Sequence, residues 1–191
     1  MSVQHSAIVL DADNHEPKGC PTATSNKVYI SNGTASGAWK RPAGTAYADL
    51  FIDVGATSQT LNATANVFDL LNPGTEWTQG PILNTTTTPA NGSITLTNAG
   101  VYTIDFWISF TSAAAAETYF FFKHALDGVV VPRAVSVQKA NALSNRVTCS
   151  SRSIVSVTAG QVLTFRAASN VAGTAITVND ADLTAVLLRE A

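Results

Sequence analysis

Residues 101–110 read VYTIDFWISF. Tyr102, Ile104, Phe106, Ile108 and Phe110 fall on one face, and Thr103, Asp105, Trp107 and Ser109 on the other. Successive side chains of an extended chain point to opposite faces, so an apolar period of two predicts a strand half-buried in a sheet. Asn98-Ala99-Gly100 before it reads as a turn, and SAAAAE (112–117) after it as a loop, because so short an alanine run does not hold a helix alone.

The next segment, TYFFFKHAL (118–126), is apolar on both faces, with Tyr119 and Phe121 pointing one way and Phe120 and Phe122 the other. Both faces then need a cover. A two-sheet sandwich covers one, and a loop or neighbouring subunit must cover the other. RSIVSVTAGQVLTFRAAS (152–169) reads as a hairpin turning at Ala159-Gly160. AITVND (175–180) and LTAVLLRE (183–190) read as two closing strands around Asp180 and Asp182. From Tyr47 onward, strands recur every roughly 8–12 residues with turn signals between them, the pattern of an all-β sandwich.

The first 42 residues are different. HEPKGCPTATSNKVYISNGTASGAWK (15–40) is rich in loop formers, with Val28, Tyr29 and Ile30 as a short strand before an Asn32-Gly33 turn. Arg41-Pro42 marks a boundary, since a residue preceding proline is pushed to extended conformations. The pattern predicts two parts, a loop-rich attachment segment over 1–42 and a β head over 43–191. Nothing in the first part can bury much apolar area alone, so it must lie on another surface.

Hydrophobic residues make up 46% of the 191, enough for a core, whereas charged residues are only 13%. The net charge of −2, with no lysine or arginine cluster, argues against nucleic acid as a partner, because binding by counterion release needs several cations together. No apolar run approaches the ~20 residues of a membrane span, and no charged start followed by an apolar segment reads as a secretion signal. Cys20 and Cys149 read as free thiols, and no histidine or cysteine spacing suggests a metal. No cofactor is expected.

Candidate chemical residues are few. His15-Glu16 is an acid–base pair in composition only, since neighbours in an extended chain rarely share a face. His124 reads as a hydrogen-bond partner at a strand end. Asp180 and Asp182, two apart on one strand face, have the spacing to chelate a cation or serve as a glycosidase pair, but turn solvation is the plainer role. Asp105 shares the less apolar face of its strand with Thr103 and Trp107, where a hydrogen bond is its expected use. Trp107 reads as covered by the second sheet or a neighbour rather than as a sugar platform. Trp77, in the loop NPGTEWTQGP (72–81), is the candidate for an exposed ligand contact.

The order of NAGVYTIDFWISF, an aromatic strand, VSVTAGQVLTFRA and a terminal LTAVLLRE resembles the ten-stranded jelly roll of tumour-necrosis-factor and complement-type globular heads. Gly100 and Tyr102 match the family's Gly-x-Tyr at an early core strand, Ala159-Gly160-Gln161 its late glycine turn, and Leu183 to Leu188 its last strand. The likeness spans residues 47–191 and implies an all-β, tumour-necrosis-factor-like jelly-roll sandwich. It also implies a homotrimer, with Tyr119, Phe120, Phe121 and Phe122 at the subunit interface. The family's calcium ligands have no counterparts.

Residues 5–41, with HEPKG and KVYISNGTASGAWK, resemble the N-terminal segment of many tailed-bacteriophage virion proteins. The resemblance implies attachment through His15, Glu16, Pro17, Lys18, Gly19, Val28, Tyr29, Ile30 and Trp39 to the major capsid protein or another virion protein. The resulting expectation is a non-enzymatic capsid decoration or head-fibre protein, assembled in the bacterial cytoplasm and resident in the virion. The alternatives are a tail-tip protein that binds host glycan and, behind it, a polysaccharide depolymerase.

Overall fold

The computed structural model describes residues 27–31, 37–74, 76–142 and 146–191. The chain divides into two compact units, Met1–Pro42 and Ala43–Ala191. In the first, β1 (Val28–Ser31) and β2 (Gly37–Lys40) pair antiparallel with Tyr29 opposite Trp39, whose rings meet edge to face at 5.5 Å. The strand at Val28 is as predicted, and its partner β2 is new. The Asn32-Gly33 turn lies outside the described residues.

The second unit is a sandwich of two antiparallel sheets. Its strands are β3 (Tyr47–Ile52), β4 (Ser58–Thr60), β5 (Asp69–Leu70), β6 (Thr78–Leu83), β7 (Thr86–Thr88), β8 (Ser93–Leu96), β9 (Gly100–Ser112), β10 (Thr118–Leu126), β11 (Val129–Ala140), β12 (Val147–Val157), β13 (Gln161–Ser169) and β14 (Ala175–Glu190). One sheet runs β11-β10-β13-β8-β7 with β5 on β13, and the other β12-β9-β14-β3-β6 with β4 on β14. From β8 onward the chain crosses repeatedly between sheets, the winding of a jelly roll. Among the described residues no helix is long and apolar enough to cross a membrane.

β9 is central because its alternation lets one face fill the core while its backbone pairs with β12 and β14 on either side. Tyr102, Ile104, Phe106, Ile108 and Phe110 are all buried. Phe106 and Phe110 of one sheet meet Phe120, Phe122 and Phe165 of the other, with ring centroids 4.5 to 5.2 Å apart. Burying each such ring contributes on the order of 2–3 kcal/mol.

Three expectations are corrected. Ala159-Gly160 is a turn but not a hairpin: β12 pairs with β9 and β13 with β10 and β8, so the turn carries the chain from one sheet to the other. The two closing strands are one 16-residue strand, β14, in which a bulge against β9 between Val178 and Asp180 absorbs the polar residues without ending the pairing. Trp77 is a core residue only 3% exposed, because its indole Nε1 donates to Leu71 O at 3.1 Å and its ring meets Phe165, so the loop turns it inward.

Candidate functional site

β11 and β12 are the last strands of their sheets, and they contact each other on one side of the sandwich. Val147, Cys149 and Val155 of β12 pack on the core yet stay only half-buried. Burial pushes the Cys149 thiol up from its ordinary value, against a hydrogen bond with Ser136 that lowers it.

Apolar side chains flank this side on both outer faces. On the β10–β11 face, Tyr119 is 45% exposed, Val135 43% and Val137 48%, and half-buried Phe121 stands opposite Val137 in register. Lys139 pairs with Glu117 and lies 5.9 Å from the Tyr119 ring centroid. On the β12–β9 face, Ile154 is 68% exposed and Trp107 40%. The opposite sheet therefore leaves Trp107 uncovered, beside a shallow depression lined by Asp105, Ser150 and Arg152.

The predicted interface quartet is split. Tyr119 and Phe121 face outward, whereas Phe120 and Phe122 are fully buried in the chain's own core, which removes those two from any subunit contact. Of the attachment residues, Val28 is 45% exposed and Tyr29 and Trp39 are half-buried on the two-stranded ribbon, where Ile30 pairs with Ala38. His15, Glu16, Pro17, Lys18 and Gly19 lie outside the described residues.

A polar row crosses the outer face of the second sheet. Arg152 on β12 stands opposite Asp105 on β9, Asp105 opposite Thr184 on β14, and Thr184 opposite Asp49 on β3. Arg152 Nε donates to Asp105 Oδ1. Thr184 Oγ1 donates to Asp182 Oδ1 at 2.6 Å and lies 3.5 Å from Asp49 Oδ1. The Asp49 carboxylate lies over Gly80 of β6, where a Cβ would come within 2.2 Å of Oδ2. Burial, and then the neighbouring Asp182 carboxylate, push Asp49 up to about 6. Sequence reasoning missed this pair, because Asp49 and Asp182 meet only through the β3–β14 register.

The other weighed residues have structural partners. Asp180 Oδ2 accepts from Arg146 Nη1 at 2.8 Å, and its Oδ1 accepts the Val54 N–H at 3.3 Å. Among the described residues no group of three or more histidines, cysteines or carboxylates is placed to hold a metal ion. His124 is not at a strand end: it lies within β10, fully buried, with Nε2 3.0 Å from Ser153 Oγ, and burial holds its pKa down at about 4.

No family model matches the chain, and no curated protein matches it in sequence. Solved structures do. The tumour necrosis factor Eiger of S. frugiperda is 16% identical with a TM-score of 0.55, over 79% of this chain and 96% of that one. The globular domain of zebrafish complement 1qA protein is 14% identical with a TM-score of 0.49, over 76% and 99% of the two chains. PRD1 vertex protein P5 is 16% identical with a TM-score of 0.48, over 75% and 97%. The fold is an all-β jelly roll of the tumour-necrosis-factor type.

Proposed function

We propose that this chain is a structural protein of a bacteriophage virion, in which residues 43–191 form a trimeric head and residues 1–42 attach that head to the capsid as a decoration or fibre. The observation that supports assembly is the β11–β12 side, where core residues stay half-buried and Tyr119, Phe121, Val135 and Val137 on one flank, with Trp107 and Ile154 on the other, present apolar surface to water. Packing that side of one copy onto the sheet face of the next is a heterologous contact, which closes into a ring when the rotation is a simple fraction of a turn. Closure at three fits the tumour-necrosis-factor-like fold.

Attachment rests on the resemblance of residues 5–41 to phage virion segments, with Val28, Ile30 and Trp39 as apolar anchors for the major capsid protein or another virion protein. The role is binding rather than catalysis. Asp49 and Asp182 contact each other on adjacent strands, rather than flanking a substrate-sized gap as the carboxyls of a glycosidase do. The rival reading, a tail-tip protein recognising host glycan, draws on Trp107 beside its depression. Sedimentation equilibrium of the purified chain tests the trimer, and a monomer at micromolar concentration overturns it. Imaging the intact particle tests the location: density on the capsid supports decoration, and density at the tail tip transfers the function to the rival.

A further inference from the structure

The polar row on the second sheet has more carboxylates than cations. It carries three carboxylates, Asp105, Asp182 and Asp49, and a single guanidinium, Arg152, which is bonded to Asp105. The carboxylate beyond the row, Asp180, is matched by Arg146. Among the described residues, Asp49 and Asp182 are left to each other and to one threonine hydroxyl, Thr184. In register on either side of Asp182 stand Trp107 and Phe51, aromatic neighbours that favour a cation arriving there.

Arg152 is the cation placed to arrive. It sits on β12, the last strand of its sheet, and its side chain is 75% exposed. A guanidinium has five N–H donors in a planar fork suited to carboxylates. Among the described residues it bonds through Nε alone. Its own Asp49 is out of reach, since three strand spacings separate β12 from β3, about 14 Å at ~4.8 Å each. A second copy whose β12 edge packs on this face has no such constraint.

We propose that the Asp49–Asp182 pair receives the Arg152 guanidinium of a neighbouring copy of the chain. The contact rests on the assembly reading above and specifies its register, because an apolar flank tolerates sliding whereas a forked cation on a carboxylate pair does not. Ring symmetry repeats it at every interface. The incoming guanidinium offsets the neighbouring Asp182 carboxylate, which together with burial holds Asp49 up at about 6 in the single chain.

The test is a mutant cycle on the full chain, reading the association constant by sedimentation equilibrium at pH 7.5. Arg152→Gln and Asp182→Asn each weaken association about tenfold, the scale of one charge-assisted hydrogen bond, and the double variant is no weaker than either single. Asp105→Asn, which removes only the intrachain partner of Arg152, keeps wild-type association. Additive losses, or an equal loss in Asp105→Asn, overturn the contact. An oligomer indifferent to all three variants also overturns it while leaving the assembly reading in place, whereas a wild-type monomer removes both.

Discussion

His124 Nε2 lies 3.0 Å from Ser153 Oγ, so one hydrogen bond ties β10 of the first sheet to β12 of the second. The imidazole is fully buried and meets Phe106 edge to face at 6.4 Å. Desolvation favours its neutral form, which sets the sign of a pH effect. The folded pKa, about 4, is below the ordinary 6.5. The unfolded chain thus takes up a proton that the folded chain refuses, and stability present above pH 6.5 is lost as pH falls toward 4. The loss is on the order of 3 kcal/mol. Melting temperatures followed from pH 7.5 to 4 should fall through this window, and His124→Phe should flatten the descent.

Asp49 works in the opposite direction. Its folded pKa of about 6 exceeds the ordinary 3.8, so its ionised form costs stability above pH 6, and the cost disappears as pH falls below 3.8. Asp49→Asn should therefore raise the melting temperature of the unassembled chain at pH 7.5 and leave it unchanged at pH 3.5. Solvent screening discounts the gain to about 1 kcal/mol. Scanning calorimetry below the assembly concentration checks both ends.

Gly100 separates a packing requirement from a conformational one. A Cβ there would lie 2.3 Å from Arg189 O, a backbone atom at the bulged end of the β9–β14 ladder. Gly160, with φ of 87°, has open space around it. Gly100→Ala must displace a strand and should cost about 2–4 kcal/mol, whereas Gly160→Ala should cost about 1–2 kcal/mol from left-handed backbone strain. Urea unfolding of the two variants side by side measures the difference.

This contrast also marks how far the sequence could be read. β9 was legible because its period-two pattern and its burial coincide from Gly100 to Ile108, and only Ser109, buried on the outer face, departs from it. The β12–β13 turn was misread because alternation reports which face of a strand is buried, not which sheet the strand joins. The hairpin between β10 and β11 did carry a signal, Asp127-Gly128, both in left-handed conformations at φ 49° and 81°, as a two-residue turn of this kind requires. Trp77 was misplaced because loop composition says nothing of which carbonyl an indole can reach. Asp49 was invisible as a site residue because its partner Thr184 is 135 positions away and only sheet register joins them.

A chain beginning at Ala43 should fold as the full chain does. Residues 43–46 belong with the head: Gly44 N–H donates to Leu187 O, and Ala46 O accepts from Leu187 N–H. The core is built entirely from Ala46 onward among the described residues. Circular dichroism melting of the two chains checks this, and coincident transitions are expected. A later start, at Tyr47, deletes these bonds to β14 and should lower the midpoint.

Phe120 and Phe121 are neighbours in sequence with opposite environments, which makes them the sharpest probe of the assembly surface. Phe120 is fully buried against Phe110, with ring centroids 5.2 Å apart. An aspartate there would be a carboxylate in the core without a partner, costing several kcal/mol and thus a large part of a domain's stability. Phe121 points out of the same strand, opposite Val137 and beside Tyr119 and Val135. An aspartate there meets water in the single chain and is desolvated only when a neighbouring copy covers it. Phe120→Asp should therefore lose the cooperative melting transition. Phe121→Asp should keep its far-ultraviolet spectrum and sediment as a monomer. If Phe121→Asp instead associates as the wild type does, the β10–β11 face is solvent-exposed in the assembled protein, and the contact between copies lies on the Trp107–Ile154 flank alone.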